Sequence, residues 1–196
     1  MKFSGHFSCL LLAVFLSACS LSTMSLSASS PAMDAETAAG DAFALEARFS
    51  LTYPGENMEA PKQVSGRLSW RHQADRDEWL FADPFGRGIA RLTRQPDGRF
   101  TLFDGKQEFV EDSPQALEAR IGFPLPLAEL VDWVRARPGQ DAIVEYDAAE
   151  RPWRARKSGW LLVYRYAEEA NRLPSQLEAS LEQFRLKLVI KSWEMP

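Results

Sequence analysis

The sequence predicts a mainly β protein with one α-helical insertion, a strongly curved antiparallel sheet of about ten or eleven strands with helices across its open side. Three observations predict it: short runs alternating apolar and polar residues, turn-forming pairs between those runs, and one central stretch where the apolar period lengthens to that of a helix. The 196-residue chain is 45% hydrophobic and 26% charged, a composition that suits one globular domain and excludes a disordered or multi-span membrane protein. Its formal net charge of −4 leaves no broad basic face for a nucleic-acid backbone, so nucleic acid is not expected as a partner.

The N-terminus reads as an address. Lys2 opens a weakly basic segment, and residues 7–16 (FSCLLLAVFL) form an apolar run shorter than the roughly 20 residues a bilayer-spanning helix needs. The run ends in Leu16-Ser17-Ala18-Cys19, which resembles the lipobox of bacterial lipoproteins: an apolar residue, two small ones, and a cysteine whose thiol takes a diacylglycerol. That resemblance implies removal of residues 1–18 and a lipid on Cys19; the plainer alternative is a secretory signal with an incidental cysteine. Ser20 stands where an acidic residue would favour the inner membrane, so the resemblance implies the outer membrane, periplasmic face. Residues 19–40 are rich in Ser, Ala, Thr and Met and read as a flexible tether, with a short helix over 34–40; residues 41–196 form the domain.

Scarce residues limit the chemistry. The cysteines are Cys9 and Cys19 and the histidines His6 and His72, so a chain lipidated at Cys19 has no disulfide, no cysteine-based zinc site and no Cys–His nucleophile. His72 lies in a polar stretch from Trp70 to Asp77 and reads as an exposed turn histidine. Neither GxxxxGK[ST] nor GxGxxG is present, so no nucleotide is expected, and no catalytic, metal or cofactor site emerges. The acidic pairs Glu111-Asp112 and Glu168-Glu169 suit a solvated surface better than a carboxylate hydrolase.

The strands follow from alternation. Ala47, Phe49 and Leu51 share one face; Val64, Gly66, Leu68 and Trp70 oppose Ser65, Arg67, Ser69 and Arg71; Phe100 pairs with Leu102. Later, Trp160, Leu162 and Tyr164 form one face, Leu177, Ala179 and Leu181 another, and Phe184, Leu186, Leu188 and Ile190 alternate with Arg185, Lys187, Val189 and Lys191. Pro54-Gly55, Asp97-Gly98, Asp104-Gly105 and Ser158-Gly159 supply turns. Between them Ser113 and Pro114 open a helix carrying Leu117 and Ile121, which Gly122 stops. A second helix carries Leu127, Leu130, Val131, Trp133 and Val134 and ends at Pro138-Gly139. These faces enclose either a filled core or a cavity; a curled sheet of this size has room for one apolar ligand, and six tryptophans supply large walls.

A set of landmarks then recurs in a recognisable order. Gly66-x-Leu68-x-Trp70 is followed by Trp79-Leu80-Phe81, Asp83-Pro84-Phe85-Gly86, Leu102 with Asp104-Gly105, and Phe123-Pro124-Leu125-Pro126-Leu127 running through Leu130 and Trp133. Gly159-Trp160, Val163-Tyr164, Leu173-Pro174 and Leu186-x-Leu188-x-Ile190 ending at Trp193 complete it. From about residue 44 to the end, and with the lipobox, this order resembles the LolB family of outer-membrane lipoproteins. The resemblance implies an incomplete antiparallel β-barrel whose α-helical lid encloses an apolar cavity. It also implies a non-enzymatic, cofactor-free protein that accepts lipoproteins from the periplasmic carrier LolA and places them in the outer membrane; the oligomeric state stays open, and nothing in the sequence demands more than a monomer. On that reading Leu68, Trp70, Trp79, Phe81, Leu102, Leu130, Trp133, Trp160, Leu186 and Leu188 are the candidate wall for cargo acyl chains.

Asp83-Pro84-Phe85-Gly86-Arg87-Gly88 joins two strands. Pro84 fixes φ and Gly86 permits a tight reversal, leaving Phe85 either outward or folded into the core. The family resemblance implies the first: Pro84, Phe85, Gly86 and Arg87 form a membrane-insertion loop, with Arg87 placed to meet lipid phosphates. Three features depart from the family: an abbreviated N-terminal helix, Phe85 where an aliphatic residue is expected, and Arg135-Ala136-Arg137-Pro138-Gly139 in place of a more glycine-rich ending to the second helix. The rival reading is a lipid-anchored periplasmic module with a packed barrel that binds a protein or peptidoglycan partner.

Overall fold

On either side of the helical insertion each strand pairs with its neighbours in sequence, and one seam, where the first strand meets the last, joins the two halves. A computed structural model describes residues 41–55 and 60–195; the signal, Cys19, the tether and residues 34–40 lie outside the described residues. The strands are β1 (Phe43–Tyr53), β2 (Lys62–Gln73), β3 (Arg76–Ala82), β4 (Gly88–Arg94), β5 (Phe100–Phe103) and β6 (Glu108–Glu111). Two helices follow, α1 (Pro114–Ile121) and α2 (Leu127–Trp133). Then come β7 (Ile143–Tyr146), β8 (Pro152–Lys157), β9 (Trp160–Arg165), β10 (Gln176–Leu181) and β11 (Phe184–Glu194). Together they make one 11-stranded antiparallel sheet in the order β6-β5-β4-β3-β2-β1-β11-β10-β9-β8-β7, open between β6 and β7. This is an incomplete barrel with a helical insertion.

Alternation decides which face is inward. In β1, Phe43, Leu45, Ala47 and Phe49 are buried while Glu46 and Arg48 face water. Register lines these residues up across the seam: Phe49 opposes Gly66 on one side and Leu188 on the other, and Leu188 opposes Leu177, which opposes Tyr164. Gly66 offers no side chain, and the Phe49 ring fills the space by meeting Phe81 edge-on at 5.4 Å.

The helices lie over this inward face. Ser113 caps α1, its Oγ accepting from Ala116 N at 3.2 Å, and Gly122 ends it in the left-handed region (φ 81°) with its N–H donating to Glu118 O. Leu117, Leu127, Leu130 and Trp133 enter the core that the strands build. α2 ends at Trp133, earlier than Pro138-Gly139. Ala136 turns left-handed (φ 58°), and the chain folds back so that Arg135 Nη1 reaches Asp41 Oδ1 at 2.8 Å and its Nη2 reaches Asp132 Oδ1 at 3.0 Å. The hydrophobic stripe alone does not register this ion-pair clasp between the end of α2 and the start of β1.

His72 corrects a second expectation. It is not an exposed turn residue: β2 runs on to Gln73, which places His72 in phase with Gly66, Leu68 and Trp70 on the buried face. Its Nδ1 lies 2.7 Å from Oδ1 of Asp77, itself only 1% exposed. Trp70 Nε1 donates to the same oxygen at 3.0 Å, and Arg94 Nε donates to Oδ2 at 2.7 Å. Burial pushes the Asp77 carboxyl up, but the hydrogen bonds from His72, Trp70 and Arg94 outweigh it and hold the group below the ordinary carboxylate range. An ionised Asp77 only accepts, so His72 carries its proton on Nδ1.

Candidate functional site

Beneath the helices the inward face leaves a cavity of about 210 Å³, walled by β1 to β5, β11, both helices and the bend between them. Leu68, Trp79, Phe81, Leu102, Leu130, Leu186 and Leu188 line it, as do Phe49 and Leu51 of β1 and Leu92 of β4. Trp70, Trp133 and Trp160 do not. Trp70 is held against Phe43 and Trp79 by its bond to Asp77, and Trp133 packs on Trp160, which meets Phe184 edge-on, so these rings fill core elsewhere. Alternation identifies the inward face of a strand but not the depth along it at which packing stops.

Phe123 and Leu125 complete the wall from the bend between the helices. No period marks them, because each is flanked by proline or glycine; the signal available was apolar residues alternating with Pro124 and Pro126. The bend is fixed locally: Glu118 Oε1 accepts from Leu125 N at 3.1 Å, and α2 begins after Pro126 with no side-chain cap. Every lining side chain is hydrocarbon except Trp79, whose indole carries the single polar side-chain atom of the lining.

The β3–β4 loop stands beside this cavity. Phe81 and Ile89 line the wall, and between them residues 82–88 project outward with Phe85 86% exposed. Asp83 makes the projection rigid: Oδ1 accepts from Phe85 N at 2.9 Å and Arg87 N at 3.0 Å, Oδ2 accepts from Arg87 Nε at 2.7 Å, and Gly86 N donates to Asp83 O at 2.9 Å. Gly86 sits at φ 92°, a conformation that favours glycine. Phe85 has no place in the core, and Val64 and Ile89 of the cavity wall are also left partly exposed. Arg67 reaches the same place, its Nη1 3.7 Å from where a Cβ on Gly86 would lie.

At the other end of the helices is a larger and more open cleft of about 690 Å³, edged by Asp41, His72, Arg94 and Arg135. Its charged groups are already engaged, Arg135 with Asp41 and both His72 and Arg94 with Asp77, and it shares one wall residue with the apolar cavity, Leu127.

A family model described as outer membrane lipoprotein LolB matches residues 41–193. The chain belongs to the LolB family. Proteins named outer-membrane lipoprotein LolB from Dechloromonas aromatica and Azoarcus sp. are each 34% identical to it, over 78% and 77% of this chain and 81% and 80% of theirs. The protein of that name from Stutzerimonas stutzeri is 34% identical over 70% of this chain and 69% of its own. The family assignment and the open, helix-covered sheet agree with the order of landmarks from Gly66 to Trp193. Within this family member, Phe85 occupies the loop tip as an aromatic and α2 is closed by the Arg135 clasp.

Proposed function

We propose that this LolB-family protein is an outer-membrane lipoprotein receptor and insertase. Lipid-anchored through Cys19 and facing the periplasm, it accepts lipoproteins from the soluble carrier LolA and places them in the outer membrane. Residues 1–18 are its signal, 19–40 its tether and 41–196 its working domain. The observation that carries the reading is a hydrocarbon-lined cavity beside a rigid loop that presents Phe85 to solvent.

Energetics make direct hand-over necessary. At about 0.8 kcal/mol per CH₂, exposing three acyl chains to water costs tens of kcal/mol. Passing chains from one apolar cavity to another changes burial little, so no nucleotide is required and a modest difference in affinity sets direction. The cavity of about 210 Å³ lies below the roughly 300–1,000 Å³ of sites for drug-sized ligands, so cargo entry displaces the helices. Burying one Phe is worth roughly 1.5–3 kcal/mol, enough to dock a protein that Cys19 already tethers. Arg67 and Arg87 beside the tip suit lipid phosphates.

The test is transfer. Carrier loaded with a labelled lipoprotein is mixed with the 19–196 protein, with and without liposomes; the label moves first to this protein and then to lipid. A folded domain that leaves all label on the carrier would overturn the reading in favour of a lipid-anchored binding module. Cys19→Ala yields a soluble periplasmic protein; palmitate labelling that persists in this variant would place the acylation elsewhere.

A further inference from the structure

We propose that the outer face of β1 to β5, beside the Phe85 loop, is a docking surface for the phosphate headgroups of an anionic bilayer, so that the protein meets the membrane along one side of its sheet as well as at the loop tip. The proposal rests on the membrane-contact reading of that loop and deepens it.

Arg48 on β1 and Arg67 on β2 are direct cross-strand partners, both outward and both exposed. Like charges at such positions lie about 5 Å apart and repel. Neither has an ion pair or a hydrogen bond from its side chain among the described residues, and the same holds for the exposed Arg91 on β4. Elsewhere the fold pairs its arginines, Arg94 with Asp77, Arg135 with Asp41 and Arg151 with Asp147. The outward carboxylates of β1 to β4, Glu46 and Glu78, sit further towards the cleft end, opposite Ser69 and Arg71. A chain of formal charge −4 thus gathers unpaired cations on one face, where their mutual repulsion is relieved by an anionic surface.

Hydrocarbon runs between these cations. Arg91 opposes Leu80 on one side and Phe103 on the other, and Leu80 is 41% exposed. Leu80, Ala82, Gly86, Gly88, Arg91 and Phe103 line a groove of about 370 Å³ on this outer face. Its Gly86 belongs to the loop that presents Phe85, and Arg67 reaches the same glycine. Guanidinium groups pair with phosphate while apolar side chains enter the acyl boundary, so cations interleaved with hydrocarbon suit a lipid surface. Continuity with the exposed aromatic tip is what favours a bilayer over an acidic protein surface. Contact along this side turns the opposite, helix-covered face and its cavity away from the bilayer and leaves the helices free to meet the carrier.

The experiment measures co-sedimentation of the 19–196 protein, produced without its lipid, with phosphatidylcholine vesicles that contain or lack phosphatidylglycerol. Wild-type protein binds the phosphatidylglycerol vesicles more tightly, and the difference disappears in raised salt. The double variant Arg48→Gln with Arg91→Gln weakens that binding roughly twentyfold, about fivefold for each arginine neutralised, while its melting temperature does not fall and its binding to phosphatidylcholine alone is unchanged. Arg156→Gln with Arg165→Gln makes the same change in net charge on the outer side of β8 and β9 and leaves vesicle binding as in the wild type. Equal binding to both kinds of vesicle, or equal weakening by the two double variants, overturns the proposal. So does an Arg48/Arg91 variant that binds vesicles normally but takes lipoprotein from the carrier more slowly, which would give this face to a protein. A protein that shows the expected vesicle pattern yet takes no label from the carrier keeps the docking face and loses the transfer reading.

Discussion

The rings of Trp70 and Trp79 lie 5.4 Å apart on facing positions of β2 and β3, yet only Trp70 has an acceptor for its N–H. Their substitution by phenylalanine therefore has unequal consequences. Trp70→Phe removes a hydrogen bond to a buried carboxylate and costs about 1.5–3 kcal/mol beyond the lost ring volume. Trp79→Phe loses ring volume only. Denaturant midpoints of the two variants, at equal m-value, measure the difference, and Trp70→Phe unfolds first.

Asp77 ties acid stability to this cluster. Its carboxyl is held below the ordinary range in the folded protein, so its contribution is complete above the unfolded value of about 4 and is lost as pH falls towards the folded value. Asp77→Ala leaves Arg94, His72 and Trp70 without their shared acceptor and destabilises the protein by about 3–5 kcal/mol at neutral pH. Stability measured from pH 7 down to pH 2 falls less steeply below pH 4 in this variant than in the wild type.

Gly66 controls the base of the loop. A Cβ there would lie 2.1 Å from Ala82 O and 3.1 Å from Phe49 Cε1, and Ala82 ends β3 where the ladder to β4 bulges. Gly66→Ala forces the backbone under Phe85 to move and costs about 1–3 kcal/mol, as overpacking does. Thermal melts report the loss, and altered amide exchange in residues 82–88 locates it.

Phe85→Glu tests the tip. Acceptance of lipoprotein from the carrier stays as in the wild type, because Phe85 is outside the cavity wall, while release into liposomes slows about tenfold or more. Phe85→Leu keeps most of the rate. Unchanged insertion by the glutamate variant would remove Phe85 from the mechanism.

Most of the sheet was legible because period-two alternation and half-burial have the same physical cause. α1 was legible because Ser113, Pro114 and Gly122 act locally. What escaped the sequence depends on contacts across the fold. His72 reads as a turn residue until Asp77 and Arg94 are seen to receive it, and α2 reads as longer until Asp41 captures Arg135. Phe85 stands out through its Pro and Gly neighbours, but no local pattern separates Trp79, on the cavity wall, from Trp70, inside the packed core.

The β1–β11 seam also has a consequence for how the chain folds. Each half of the sheet is a meander of neighbouring hairpins, which form early, whereas the seam joins strands at opposite ends of the described chain. During synthesis β1 is an open edge, with Phe43, Leu45 and Phe49 along it, until β11 arrives last. Aggregation therefore competes with folding for the whole time the chain takes to emerge, and truncations that remove β11 expose the same edge permanently.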